Sequence, residues 1–233
     1  MHKPQEDLFQ VMLNIRQVCA PDYPQLRPRI RPAVPRINES ALTKVVVARL
    51  RHAGRSDVNP LLYESLRLDA ARAGLAIDLR DQAATDNLDG VRLIHITGHA
   101  EMKLADEQVA DLRRRVAAGG FLLIDPAAGS PEFANSARDL VARLGLSEKP
   151  LDAQTDPIFS GIESIGPNRW ARDLLRGRSG LAELLLDGRR VGILAEVDLT
   201  ASASGHHVWG RPAFTQAAAR RIWVNVLLAV AKP

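Results

Sequence analysis

Short apolar runs alternate with amphipathic stretches along most of this chain. KVVVARLR (44–51), AIDL (76–79), VRLIHI (91–96) and FLLID (121–125) are compact, mostly apolar segments, as expected of strands covered on both faces. LAELLL (181–186) and RRVGILAEV (189–197) are joined by Asp187-Gly188, a hairpin signal. Between the runs the period becomes helical. Pro60–Ala73 repeats Leu61, Leu62, Leu66 and Ala70, with Asn59 as a cap and Gly74 as a stop. Val109, Leu112 and Val116 form the stripe of a helix whose first turn carries Asp106 and Glu107 and whose end is Gly119-Gly120. Pro131–Leu144 and Phe214–Ala231 complete the set, the last apolar nearly all round after Ile222. Strand, helix and strand in regular succession predict an α/β domain with a doubly wound, mostly parallel sheet and helices on both faces. Asp81–Gly90 and Ser147–Pro167 read as loops, and so does Leu199–Pro212.

The organising unit is Val91–Asp125. In open parallel sheets ligands sit beyond the carboxyl ends of the strands, and here those ends carry Gly98, His99 and Asp125. With a strand order of 2-1-3-4-5, His52 after the first strand would neighbour His99. The candidate ligand-binding residues are therefore His52, Gly98, His99, Glu101, Asp125, Asp198 and His206. His99 and Asp125 are also the candidate catalytic pair. Each has a second reading. Asp125 could act as a ligand carboxylate or general base, or cap the loop that follows it. His99 could donate to an anion or transfer a proton, or hold its own loop; the site role is favoured because the preceding Gly98 allows close backbone approach. His95, inside a strand, reads as core. Asp198 and His206 lie in one loop with Ser202, Ser204, His207 and Trp209, without metal-site spacing or a nucleophile elbow. Asn225, on an apolar helix, is expected to pin a loop rather than do chemistry.

The N-terminal 40 residues differ. Leu8, Val11, Met12, Ile15 and Val18 place an amphipathic helix over Gln5–Ala20. It either docks a partner or packs on its own domain, the second being favoured. APDYPQLRPRIRPAVP (20–35) is too rich in proline for either regular structure and reads as an extended arm, with Arg27, Arg29, Arg31 and Arg36 available to an anionic partner or solvated. The expected organisation is thus an N-terminal helix and proline-rich arm over 1–40 and the α/β domain over 41–233. A protein partner or neighbouring domain could be met through residues 5–36.

Composition narrows the function classes. Hydrophobic residues make up 46% of the 233, enough for a substantial core. The net charge of +4 comes from dispersed arginines, and five Phe and three Trp are not interleaved with a basic run, which argues against nucleic acid. The single cysteine, Cys19, excludes an internal disulfide and a thiolate metal cluster. No apolar run reaches the length of a membrane span, and the charges in MHKPQEDLFQ do not suit a signal peptide, so the chain as written reads as cytoplasmic. Dinucleotide and Walker phosphate loops are absent; Ala128-Gly129-Ser130 is too short to replace them, and no cofactor or metal is expected.

VARL in the first strand, TGHAEMKL, LRRRVAAGGFLLID, DPIFSG, DGRRVGIL followed by Asp198, and the last helix with Asn225 together resemble a bacterial family, domain of unknown function 4159. The resemblance runs from about Val45 to the C-terminus. It implies a three-layer flavodoxin-like sheet related to class I glutamine amidotransferases, without an assigned activity. Its relatives are often parts of exported or membrane-anchored proteins. The related amidotransferases place a nucleophilic cysteine after the strand matching FLLID. Here that place is Asp125-Pro126, and Cys19 lies outside the domain, so no glutaminase activity is expected. The family tends to carry a histidine before the proline of the DPIF segment; Asp156 stands there instead, which puts a metal or acid–base role at that place in doubt. Two readings remain: a non-catalytic module binding a small polar or anionic ligand or a protein partner, which is favoured, and a hydrolase-like or metal-assisted enzyme using His99 and Asp125.

Overall fold

The computed structural model describes residues 39–56, 59, 62–83, 88–162, 175, 178–206 and 211–232. The expected N-terminal helix and arm, with their possible partner contacts, lie outside these residues, as do His207 and Trp209. Seven strands form one sheet: β1 (Thr43–Arg51), β2 (Leu75–Ala83), β3 (Leu93–Gly98), β4 (Phe121–Pro126), β5 (Ser147–Pro150), β6 (Leu181–Leu186) and β7 (Arg189–Ala195), in the order β2-β1-β3-β4-β7-β6-β5. The first five in this order are parallel, and β6 runs antiparallel to both of its neighbours. The helices are α1 (Leu62–Arg72), α2 (Asp106–Ala117), α3 (Pro131–Arg143), a single turn α4 (Thr200–Ala203) and α5 (Gln216–Ala231).

Alternation along the strands sorts the core into two layers. Val45, Val47, Leu93, Leu123 and Ile193 face α1 and α5, meeting Leu62, Leu66, Ile222, Trp223 and Val226. Ala48, Leu50, Ile94, Ile96, Leu122 and Ile124 face α2 and α3, meeting Val109, Leu112, Val116, Phe133 and Leu140. The result is a layered α/β domain with a mostly parallel sheet. The consecutive strands β3 and β4 lie side by side, pairing Thr97 with Asp125 and Gly98 with Pro126. This brings both strand ends to one edge, as the pattern predicts.

Three segments depart from expectation. β2 continues through Asp81 to Ala83, pairing along the whole of β1, where a loop is expected. It is an edge strand, and its polar residues bind across to β1, as in Arg49–Asp81 and Lys44–Asp78. β5 is the opposite edge; its four residues are all exposed, so it offers no apolar signal. Finally, α4 interrupts the expected loop after Asp198. Asp198 accepts the amides of Ala201 and Ser202, at 3.0 Å each, in the manner of a helix cap.

Candidate functional site

At the carboxyl ends of β3 and β4 the side chains form two levels, one sealed and one at the surface. His95 and Thr97 point from β3 toward α1 and α5, as Asp125 does from β4. His95 Nε2 lies 2.9 Å from Asp125 Oδ1 and 3.1 Å from Thr200 Oγ1, and its Nδ1 lies 2.6 Å from the Tyr63 hydroxyl. Burial drives the Tyr63 pKa well above its usual value, so this hydroxyl keeps its proton. A carboxylate can only accept, so Nε2 carries a proton toward Asp125, and in the neutral ring Nδ1 accepts from the Tyr63 hydroxyl. Thr200 Oγ1 donates to Oδ1 at 2.8 Å, while the amides of Leu199 and Thr200 donate to Oδ2 at 3.2 and 2.9 Å. Four donors thus converge on two carboxylate oxygens, which have about four acceptor sites between them. His95 and Asp125 are wholly buried, and Trp223 stands edge-on to the imidazole at 4.8 Å. Thr97 Oγ1 and Trp223 Nε1, on this same face, are buried without a protein partner.

This is not a nucleophile–histidine–carboxylate relay. In such a relay a hydroxyl that faces substrate sits on one imidazole nitrogen and the carboxylate on the other. Here the Thr200 hydroxyl shares Nε2 with Asp125, and the hydroxyl on Nδ1 is a buried phenol that donates to the ring and faces no open surface. The arrangement clamps α4 and α1 to the sheet. Asp198 extends it: besides the Ala201 and Ser202 amides, its carboxylate accepts Ser202 Oγ at 3.2 Å and the Ala128 amide. Burial, with the nearby Asp125 charge, pushes its pKa up to about 7 against these donors.

The surface level is the rim formed by the loops after β1, β3 and β4. His99 is half-buried, and its Nε2 lies 3.2 Å from Arg55 Nη1. A guanidinium can only donate, so Nε2 accepts and Nδ1 carries the proton. That Nδ1 is shielded and has no protein partner. Ser130 Oγ donates to the His99 carbonyl or to Glu132, each at 2.9 Å, and accepts the Phe133 amide. Glu132's own backbone N–H and Ser130 hold its exposed carboxyl below the ordinary range. Two non-glycine residues on this rim, Arg55 (φ 56°) and Ala128 (φ 54°), have left-handed backbones, a strained choice for residues with a Cβ.

The other candidates are placed as follows. His52 accepts the Gly54 amide on Nδ1 and donates from Nε2 to the Thr97 carbonyl, both at 3.0 Å, and burial lowers its pKa. Gly98 is buried against protein: a Cβ there would lie 2.5 Å from the Gly54 carbonyl oxygen and 2.9 Å from Phe133. The absent side chain therefore admits the neighbouring loop rather than a ligand. Glu101 is exposed and pairs with Lys103 at 3.2 Å. His206 is exposed, whereas Asp198 is buried and bonded to α4, so the two form no pair. Asp125 and His99 share an edge but not a hydrogen bond: the first belongs to the sealed level, the second to the rim. Asn225 pins a loop, donating to the carbonyls of Ile158 and Ser160 at 2.8 and 2.9 Å. Sequence reasoning missed Tyr63, Thr200 and Arg55. Of these, only Tyr63 left a signal, as a polar-tipped aromatic within the apolar stripe of α1.

Compared with protein families, the chain matches the model described as Domain of unknown function (DUF4159) over residues 52–229. The chain belongs to this family. No curated protein matches it. In this DUF4159 domain the matched region begins at His52, the first residue of the rim, and includes both levels of the site. No group of three or more metal-ligating side chains occurs among the described residues, and no helix among them is long and apolar enough to cross a membrane.

Proposed function

We propose that this domain is a non-catalytic binding module on a flavodoxin-like, amidotransferase-like scaffold, which recognises a small polar ligand or a protein partner at the rim of Arg55, His99, Ser130 and Glu132. The saturation of Asp125 carries this reading. A general base or metal ligand needs a free lone pair facing substrate, whereas all four acceptor sites of Asp125 are filled from within the protein, at zero exposure. The rim supports the binding half of the proposal. Arg55 brings a guanidinium beside His99 Nε2, Glu132 a carboxylate held in its charged form, and the shielded Nδ1 of His99 is left without a protein partner. Strained backbone on both flanking loops is the kind of cost that functional surfaces carry.

The test is a ligand-observed NMR screen with polar fragments, carboxylates included, on wild-type protein and on His99→Ala and Arg55→Ala. Fragments that bind wild type and are lost in both variants, with melting unchanged, are the expected result. Glutamate release from glutamine that persists in Cys19→Ala would refute the non-catalytic reading.

A further inference from the structure

On the α1/α5 side of the sheet a cavity of about 620 Å³ opens between these two helices, lined by none of the rim residues. Its polar lining is Asp69 and Arg72 from α1 and Gln216, Arg220 and Arg221 from α5. Three guanidiniums thus face a single carboxylate. That carboxylate is divided: Asp69 Oδ1 lies 3.5 Å from Arg72 and Oδ2 3.4 Å from Arg220, both long for charge-assisted bonds. Arg221 has no polar partner among the described residues. Arg220 is fixed independently, its Nε donating to the Ala203 carbonyl at 3.0 Å. Among the described residues the site therefore holds an uncompensated charge of about two, with Arg220 preset in orientation, Arg72 held only by its long contact to Asp69, and Arg221 exposed.

We propose that this cavity binds a compact multivalent oxyanion, a small molecule carrying phosphate or several carboxylates. The volume falls in the range of small-molecule sites, roughly 300–1,000 Å³. Planar guanidiniums match both oxyanions with paired hydrogen bonds. Arg220 ties the cavity to the last residue of α4, whose first amides rest on Asp125, so occupancy would also steady the sealed clamp. The proposal is independent of the rim.

Calorimetric titration and thermal melts with inorganic pyrophosphate and with citrate, at ionic strength matched with sodium chloride, test it. Saturable binding of at least one anion is expected, and the stronger binder identifies phosphate or carboxylate as the preferred group. Arg221→Gln and Arg72→Gln should each weaken binding about tenfold without lowering the melting temperature of the free protein. Asp69→Asn should strengthen it by removing the competing carboxylate. Arg138→Gln, an exposed charge on α3, and His99→Ala on the rim should leave it unchanged. Absence of saturable binding by both anions, equal loss in Arg138→Gln, or weaker binding in Asp69→Asn would overturn the proposal.

Discussion

Replacing His95 by alanine tests the division into a sealed clamp and a surface rim. The substitution removes a wholly buried ring packed edge-on against Trp223. It strands the Tyr63 hydroxyl, now bonded to Nδ1 at 2.6 Å, and takes one of four donors from Asp125. An unpaired buried hydroxyl costs about 1–3 kcal/mol, and emptying a core position costs about 2–5 kcal/mol when the surroundings relax only partly. These overlap, so roughly 3–5 kcal/mol is expected. For a domain of this size about 2–4 °C is lost per kcal/mol, which places the fall in melting temperature near 10 °C. His99→Ala removes a half-exposed side chain with one solvent-side bond to Arg55, and should cost less than about 1 kcal/mol. Thermal melts followed by circular dichroism compare the two directly. A double-mutant cycle of His95→Ala with Tyr63→Phe should be strongly non-additive, because removing either partner strands the other. If His99→Ala melts below His95→Ala, or if the cycle is additive, the assignment of clamp and rim is wrong.

Gly98→Ala should destabilise by roughly 1–3 kcal/mol in denaturant titration, since the new methyl would stand 2.5 Å from the Gly54 backbone oxygen and neither strand end can retreat freely. Stability should depend on pH through Asp198, whose folded pKa of about 7 stands above its ordinary 3.8. The folded state then holds a proton that the unfolded state has released, so this contribution is complete below about pH 4 and disappears as pH rises through 7, by roughly 4 kcal/mol at most. Asp198→Asn should flatten melting temperature against pH between 5 and 7.5, and an unchanged slope would refute this. His52 works in the opposite direction: its lowered pKa means that its contribution is present above about 6.5 and lost on acidification, so His52→Gln should reduce the loss of stability on the acid side. Asn225→Leu should loosen the Ile158–Ser160 turn, read as faster amide exchange there with little change in the sheet.

The parallel unit from β3 through α2 to β4 was legible because each part carries its own period, and the core residues Val109, Leu112 and Val116 fall where that period puts them. β3 runs to Gly98, two residues beyond the apolar run, because pairing with Pro126 depends on the neighbouring strand rather than on hydrophobicity. Edge strands were illegible for the opposite reason: β2 beyond Leu79 and all of β5 gain their order from backbone bonds and cross-strand charges, not from burial. The roles of His95 and His99 were only half legible. Position alone marks His95 as interior and His99 as a strand-end residue. What makes His95 a clamp is Tyr63, 32 residues before it, and Thr200, 105 residues after it. No local pattern links those three.

The same distinction bears on DPIFSG, a motif that carries the resemblance and in which Asp156 stands where the resemblance led to the expectation of a histidine. Asp156 accepts the Ile158 amide at 3.0 Å and opens a short 3-10 turn over Pro157–Phe159. Its carboxylate also pairs with Arg190 of β7, which reaches Glu183 of β6 at 2.7 Å, and Lys149 of β5 stands 3.5 Å from the same Glu183. Asn225 of α5 holds the far end of the turn. The motif therefore joins the antiparallel edge to α5, between a carboxylate on one side and an amide on the other. A histidine at 156 could supply neither a second oxygen for Arg190 nor a charge opposite to it. The aspartate is thus explained by the pairing of this edge, and a metal or proton-transfer role is not needed to account for it. DPIFSG and the His95–Asp125 clamp are thus both engaged in holding the domain together, which is why the proposed binding role falls to the rim around Arg55 and His99.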